Sequence, residues 1–445
     1  MAVATQTFLA LKKLMWEACN DYLTFATTTN ITTNNSVIST TLNIYDDGVD
    51  DYFNGWWIYI DGVTNPNTTR KITNYATSGG TITVSGAALV AETAARTCYL
   101  CRVNPEDHGR AIQRAMEEIY PTLHLPLENQ TLITGNILPD ASFEDWPTTA
   151  TLTWYTASNT TLLKTSTAGK VKNGTYSVSS TTTAANGNFY ISSNSYPRLL
   201  DLMGQSVSLY VWAYPETLDD PTVIIDTVST DGTTTQTLTS TTSCPAGYWT
   251  LIKLEDQALN DDLQEVKITF NVATSGQYCF FDDANLQGRN IKEYLLPTNF
   301  RDGHLSEARI QGASSQEPAC YDFNTFATMS KGDILTHTLI DEGAWRYLRL
   351  DDSFTNNKRL RLLGRKPLET LSADTDTITL NAEKIPLLIA KAKMIFYERQ
   401  GKPVSAEDIS RYNFEMSRAT NEYYTKKSQM GMMRAPENLR SRNIG

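Results

Sequence analysis

The sequence predicts a multidomain α+β fold in which helices and a small β-barrel form one body, with an all-β jelly-roll sandwich inserted into it. The chain has 445 residues, more than a single hydrophobic core usually serves. From Asn136 onward, roughly 150 residues form short strand-like runs separated by Thr, Ser, Asn and Gly, a pattern typical of sandwiches. The flanking segments carry helical periodicity instead. The predicted divisions are 1–130, 136–287 and 288–430, followed by an extended tail at 431–445.

The first division is predicted to start with an amphipathic helix followed by the small barrel. Lys12 and Lys13 interrupt the apolar start of the chain, so we expect no signal peptide. No apolar run reaches the ~18 residues of a membrane span. Between residues 37 and 103, strand-like runs alternate with Asp-Gly and Gly-Gly turns, which indicates several short antiparallel strands.

Helical periodicity returns in three places. Residues 105–120 carry apolar side chains at intervals of three and four, and Pro121 ends the run. Residues 382–398 have a broad apolar face. A last helix starts at Ser405 and carries one apolar stripe, formed by Ile409, Tyr412, Met416, Ala419 and Tyr423. Such a stripe either packs within the chain or forms a subunit interface.

Charge and cysteine content exclude some classes of protein. The chain has 38 basic and 49 acidic residues, a net charge of −11, which argues against a protein that coats nucleic acid over its whole surface. A local basic patch stays open. Cys98 and Cys101 have a metal-type spacing, but in a strand their thiols point to opposite faces. Buried free thiols are the expected state.

No constellation of residues predicts catalysis. The histidines are isolated from one another, and neither a phosphate-binding glycine loop nor a nucleophile elbow is present. The acidic cluster at residues 46–51 lacks the alternating spacing of a calcium loop and is expected to form a solvated turn. We therefore expect no enzyme, although paired carboxylates of a glycosidase could come from any part of a chain.

The ends of the central segment carry motifs. It opens with N-I-L-P-D-A-S-F-E at 136–144, closes with F-F-D-D-A-N-L at 280–286, and contains K-N-G-T-Y-S at 172–177. These motifs resemble the jelly-roll carbohydrate-binding modules associated with xylanases and glucanases. The resemblance implies a structural calcium ion held by Glu144 and Asp283, for which carboxylate oxygens are suitable ligands. The alternative is that both side chains accept hydrogen bonds from turns.

Sugar binding requires exposed aromatic faces beside polar groups, because the C–H faces of sugars stack on rings and their hydroxyls need partners. Trp212 and Trp249 lie in strand-like runs and are expected in the core. The predicted glycan-binding residues are Trp146, Trp154, Tyr155, Tyr190 and Tyr196.

The flanking body has a second resemblance. The run G-R-A-I-Q-R-A-M-E-E-I-Y-P at 109–121 and the run L-S-A-D-T-D at 371–376 are similar to segments of the virion proteins that bacteriophages place between portal and tail. The resemblance implies a head-to-tail connector or adaptor in the neck or tail of the virion, made in the host cytoplasm. Its expected state is a homo-oligomeric ring that contacts portal and tail proteins. It requires no cofactor beyond the structural calcium.

A connector also implies basic residues that grip the portal or line a DNA channel. The candidates for this contact are Lys358, Arg359, Arg361, Arg365, Lys366, Arg434, Arg440 and Arg442. A solvated strand edge and tail are the alternative reading of these residues. Two other functions stay open, namely a tail or surface adhesion protein that binds host glycans and a polysaccharide-active enzyme with a binding module.

Overall fold

The computed structural model describes residues 3–217, 221–301, 303–311, 333–399 and 406–433. The chain divides into two compact units, one formed by 1–125 with 367–445 and the other by 126–366. The first unit is therefore discontinuous, and the second is inserted into it. The predicted return to the first body at 288 differs from the structure, because residues 288–366 belong with the sandwich and the chain re-enters the first unit at 367.

The first unit begins with helix α1 (Phe8–Cys19), whose start is capped by the Thr7 hydroxyl, which accepts a hydrogen bond from the Ala10 N–H at 3.1 Å. Helix α2 (Pro105–Glu118) starts after Asn104 and buries the apolar positions expected from its periodicity. The strands of this part are β1 (Val3–Thr7), β2 (Leu23–Ala26), β3 (Ser36–Ile38), β4 (Trp57–Asp61), β5 (Thr68–Ala76), β6 (Thr81–Val84) and β7 (Thr97–Cys101).

Six of these strands form one antiparallel sheet in the order β2-β7-β4-β5-β6-β3. Its apolar face encloses a core that includes Ile58, Ile72 and Leu100. Within residues 23–101 the outer strands β2 and β3 do not pair as strands, but a backbone hydrogen bond from Thr28 to Ile38 links their ends. The predicted barrel is thus a strongly curved open sheet. Cys98 faces its core, whereas Cys101 packs in a separate cluster on the other side.

The second unit contains the predicted sandwich. Its early strands are β8 (Leu125–Asn129), β9 (Thr156–Ser158), β10 (Thr160–Thr165), β11 (Ser177–Thr182), β12 (Gly187–Ser192), β13 (Ser206–Pro215), β14 (Pro221–Ser229), β15 (Thr235–Thr239), β16 (Thr250–Ala258), β17 (Leu263–Val272) and β18 (Tyr278–Gln287). We call β10-β11-β18-β13-β16 the front sheet and β15-β14-β17-β12-β9 the back sheet.

The two sheets share one core, because alternate side chains of each strand point between them. Phe189 and Phe270 of the back sheet stack with ring centroids 4.9 Å apart, and Phe281 of the front sheet meets Phe189 at 5.4 Å. All three rings are buried. Removal of one ring from such a core costs about 3–5 kcal/mol, so this cluster ties the two sheets together.

Two smaller sheets complete the second unit. Their strands are β19 (Glu293–Leu295), β20 (His304–Ile310), β21 (Asp333–Leu335), β22 (His337–Glu342), β23 (Trp345–Leu350) and β24 (Leu360–Lys366). The sheets are β19-β23-β22 and β21-β20-β24-β8, and they bury a common cluster around Phe300, Leu348 and Leu362.

The chain then closes the first unit. Strand β25 (Thr377–Asn381) pairs antiparallel with β1, and helix α3 (Ile385–Arg399) packs on α1 and α2. Helix α4 (Ala406–Met433) follows and packs on α3. Strands dominate the fold as a whole, and the α-helices among the described residues all lie in this unit.

Candidate functional site

The outer face of the front sheet carries a row of aromatic side chains. In β13 the side chains of Val211 and Ala213 point into the core, so those of Trp212 and Tyr214 point outward. The antiparallel register places Phe280 opposite Tyr214. The outward positions of β13 and β18 therefore form one continuous surface.

The rings of this row contact one another. The centroid of Tyr214 lies 5.7 Å from that of Trp249 and 6.0 Å from that of Phe280, and Phe280 lies 5.7 Å from Tyr278. Tyr278 is exposed, and Tyr248, which precedes Trp249 in the chain, is 71% exposed. We call Trp212, Tyr214, Trp249, Tyr278 and Phe280 the aromatic face.

Polar groups border the aromatic face. The ammonium of Lys170 lies 3.6 Å from the ring centroid of Tyr214, and that of Lys172 lies 3.9 Å from the ring of Trp212. Partial burial lowers the pKa of Lys172, and the nearby Asp282 and Asp283 oppose that effect. Such cation–ring contacts stabilise both partners, and each ammonium lies over the face of the ring that it contacts.

The loop that carries both lysines is held against the sheet. The Trp249 Nε1–H donates to the Gly169 carbonyl at 2.9 Å. The backbone N–H groups of Lys172 and Asn173 donate to the Asp282 carboxyl at 2.7 and 2.9 Å. Burial raises the pKa of Asp282 well above its ordinary value, although these two hydrogen bonds act against the rise. The loop is thus a fixed wall of the aromatic face.

The predicted glycan-binding residues lie elsewhere. Tyr155 and Tyr196 are buried, and Trp146 and Trp154 pack against the sandwich core as half-buried side chains. Tyr190 lies on the outer side of the back sheet with the Lys267 ammonium 4.6 Å from its ring centroid. The rings of Trp154 and Tyr196 contact each other with centroids 5.6 Å apart, but the structure does not bring all five residues together.

Trp212 and Trp249, which the sequence placed in the core, are instead half-buried on the outer face. The reason lies in the run Leu209 to Tyr214, where both alternating sets of positions are apolar or aromatic. Alternation alone then does not tell which set faces inward. The larger side chains of the second set were the available signal, because a sandwich interior has limited space between its sheets.

The two predicted calcium ligands have other partners. Both oxygens of Asp283 accept hydrogen bonds from the Arg359 guanidinium, Nη1 to Oδ1 at 3.1 Å and Nη2 to Oδ2 at 2.9 Å. Each side chain of this pair is 1% exposed. Asp283 Oδ1 also accepts from Asn173 Nδ2 at 2.8 Å. Glu144 Oε1 accepts from the backbone N–H groups of Thr175 and Tyr176 at 2.6 and 3.0 Å.

These contacts do not fit a calcium site. Calcium takes six to eight oxygen ligands, whereas a buried guanidinium already holds both oxygens of Asp283. Among the described residues, no group of three or more His, Cys, Asp and Glu side chains is placed to hold a metal ion. The alternative reading of the sequence, that the two carboxylates accept hydrogen bonds from the turn at 172–177, agrees with the observed contacts of Glu144 with the turn backbone.

The predicted portal or DNA contacts divide into three groups. Arg359 is buried in its pair with Asp283 and presents no charge to a partner molecule, which removes it from that set. Lys358, Arg361, Arg365 and Lys366 are half-buried along or beside β24, and Arg361 forms an ion pair with Glu128 at 2.8 Å. The remaining three, Arg434, Arg440 and Arg442, lie outside the described residues.

Comparison with solved structures finds partial similarities. One is to the C-terminal family 22 carbohydrate-binding module of Clostridium thermocellum Xyn10B, with 17% identity over 35% of this chain and 96% of that chain and a TM-score of 0.29. Another is to TmCBM61, described in complex with β-1,4-galactotriose, with 16% identity over 35% and 99% of the two chains and a TM-score of 0.24.

A third similarity is to the enzymatically active domain of bacteriophage CBA120 tailspike protein 4. It has 15% identity over 35% of this chain and a TM-score of 0.26, and it spans only 22% of the tailspike chain. The chain matches no protein-family model and none of the curated proteins. No helix of the described residues is long and apolar enough to cross a lipid bilayer.

Proposed function

We propose that the second unit binds glycans through the aromatic face and serves as an adhesion module of a bacteriophage tail or surface protein. The carrying observation is the set of outward aromatic side chains on the front sheet, in which Tyr278 is exposed, Trp212, Tyr214 and Trp249 are half-buried, and Phe280 is buried. Rings of this kind stack on the C–H faces of sugars, and adjacent polar groups pair with the hydroxyls. Glu255 is one such group at the edge of the row, where its carboxylate accepts a hydrogen bond from the Tyr210 hydroxyl at 3.0 Å.

The test replaces rings of the aromatic face and measures retention in polysaccharide affinity gels together with binding on a host-glycan array. Trp212→Ala and Tyr214→Ala are expected to weaken binding at least tenfold, which corresponds to about 1.4 kcal/mol. Tyr190→Ala is the matched control, because it also removes an outward tyrosine beneath a lysine, but from the back sheet. Equal binding by all three variants would refute the aromatic face as the site.

We propose binding without catalysis for this unit. Burial raises the pKa of Asp140 to about 6 and that of Glu144 to about 7, beside the raised pKa of Asp282. Both have structural partners, since Asp140 accepts from the backbone N–H groups of Glu144 and Asp145 at 2.9 Å each. Incubation with neutral and acidic polysaccharides is expected to release no reducing ends. Release that disappears in an Asp140→Asn variant would establish an enzyme instead.

A second proposal concerns the first unit, which we infer forms a head-to-tail connector ring through contacts between copies. The supporting observation is helix α4, which exposes the large apolar side chains of Ile409, Phe414 and Tyr424, with Phe414 65% exposed. Exposed apolar side chains grouped on one helix are typical of protein interfaces. Of the predicted stripe, Ala419 and Tyr423 are buried within the chain, whereas Ile409 is exposed.

Mass photometry and negative-stain microscopy of the purified full chain test this second proposal. A closed ring of many copies that Phe414→Ser dissociates is the expected result. A monomer or trimer at micromolar concentration that still binds glycans would contradict the connector and leave the adhesion proposal intact.

A further inference from the structure

A second opening lies on the second unit, beside the loop that carries Lys172 and borders the aromatic face. It is a polar groove of about 480 Å³ between the sandwich and the segments 128–131 and 297–299. Amide, hydroxyl and carboxyl side chains dominate its lining, beside one aromatic ring. The lining includes Asn129, Glu144, Asn173, Tyr176, Thr298 and Asn299.

Glu144 is held in this groove by one oxygen only. Its Oε1 accepts the two backbone N–H groups of Thr175 and Tyr176. Among the described residues, no hydrogen bond reaches its second carboxyl oxygen, Oε2. A carboxyl group fixed by one oxygen leaves the other free to pair with a hydroxyl of a ligand.

Gly174 allows this arrangement. Its φ is +79°, and a Cβ built on it would lie 2.1 Å from Glu144 Oε1. Only glycine lets the backbone approach the carboxyl this closely with a left-handed conformation. At Gly174 the turn therefore has no side chain between its backbone and the Glu144 carboxyl.

Asn173 is fixed from behind. Its Nδ2 donates to Asp283, which the buried Arg359 guanidinium holds by two hydrogen bonds. The Arg359 Nη1 also donates to the carbonyl of Gln130, on the opposite wall of the groove, at 3.1 Å. One buried arginine thus connects both walls, so the groove is preorganised and binding costs little conformational entropy.

We propose that this groove binds the hydroxyl groups of a neutral saccharide, as a second site on the unit that the aromatic face serves. The inference takes its ligand class from the proposed glycan-binding function. Amide and carboxyl groups pair with hydroxyls in both donor and acceptor roles. An anionic sugar would meet the carboxyl group of Glu144 in the lining, and like charges disfavour it, whereas Glu128 is already paired with Arg361.

The experiment starts from a Trp212→Ala/Tyr214→Ala variant, in which the aromatic face is disabled. Cello-, xylo- and galacto-oligosaccharides are titrated in turn by saturation-transfer NMR and calorimetry. Residual binding of at least one of them is expected, and the addition of Glu144→Gln, which replaces Oε2 or Oε1 by an amide donor, should weaken it about tenfold or more. Glu265→Gln on the back sheet is the matched control. Oε1 of Glu265, like that of Glu144, accepts a hydrogen bond from the protein, here from Asn194 Nδ2.

The outcomes separate the two sites. Residual binding that Glu144→Gln weakens and Glu265→Gln leaves unchanged supports the groove. Loss of all binding with the aromatic face, or residual binding insensitive to Glu144→Gln, overturns it while the proposed function stands. If the aromatic-face variant binds as well as the wild type and only Glu144→Gln weakens binding, the aromatic face fails and the groove stands.

Discussion

Replacing Arg359 by Met is expected to lower the free energy of unfolding of the second unit by about 3–5 kcal/mol. Arg359 and Asp283 are each 1% exposed and share two hydrogen bonds of 3.1 and 2.9 Å. When one partner of a buried pair is removed, the other charge stays in the interior without compensation, and that desolvation cost sets the size of the loss.

The contacts around the pair place the loss near the lower end of that range. Asp283 keeps the hydrogen bond from Asn173 at 2.8 Å and a longer one from Ser142 at 3.4 Å, so its carboxylate is not wholly unpaired. The double variant Arg359→Met/Asp283→Asn should recover most of the loss, because no charge stays buried. Asn suits this position, where φ is +49°, since Asn tolerates the left-handed region.

The assay must resolve the second unit, because a chain of two units does not unfold in one transition. Hydrogen exchange with mass spectrometry in increasing urea reports β11 and β18 directly. Arg289→Met is the control, because Arg289 and Asp201 form a pair at 3.7 Å with each side chain 55% exposed, and such surface pairs contribute about 0–1 kcal/mol.

Two results would refute this reasoning. One is a loss below about 1 kcal/mol in Arg359→Met, equal to that of the surface control. The other is a double variant no more stable than the single one, which would assign the loss to packing of the arginine stem rather than to charge. Chelation by EDTA should leave the stability of the wild-type second unit unchanged. A fall in that stability would show that the unit binds a metal ion such as calcium.

Three further predictions concern single side chains. Burial raises the pKa of Glu144 to about 7. The stability of the second unit should therefore fall as pH rises from 4.5 towards 7, because the unfolded chain loses that proton first. Urea titrations should show a weaker fall in Glu144→Gln. Burial lowers the pKa of His108 to about 4. The first unit should therefore lose stability as pH falls from 6.5 towards 4, because the unfolded chain takes up that proton first. In the same assay His108→Leu should show a smaller loss of stability. Gly174→Ala should lower the melting temperature more than Gly169→Ala, because both have φ near +80° but only the first meets Glu144 Oε1, at 2.1 Å; equal shifts would argue against the close approach.

Local sequence patterns predicted much of the secondary structure and the central sandwich. The apolar positions of α2 recur at helical intervals and are buried as expected, and the turn-rich central segment forms two packed sheets. Both signals arise within a few residues of chain, where side-chain direction follows directly from backbone period. The end of the inserted unit was harder to place, because β19 to β24 pair among themselves and with β8 rather than with the first body.

The candidate site divides in the same way. The motifs at 136–144, 172–177 and 280–286 belong to one resemblance. In the structure Glu144 and Asp283 both accept hydrogen bonds from the turn at 172–177. The residue types alone did not predict which aromatic rings face outward. Trp212 and Val211 are neighbours of similar hydrophobic character, and only the pairing of β13 with β18 and the packing of the back sheet assign them to opposite faces.

By itself the sequence determined the sandwich and the periodic helices, and it singled out Glu144 and Asp283 as structural carboxylates. Only the tertiary structure decided what neutralises Asp283. Its partner Arg359 lies 76 residues further along the chain. It directly precedes β24, which belongs to a different sheet. From the sequence, it was predicted to be a surface cation that contacts the portal or DNA. No local period connects two such residues, because their pairing depends on how independent sheets pack, and burial then converts a carboxylate suited to calcium into half of an ion pair.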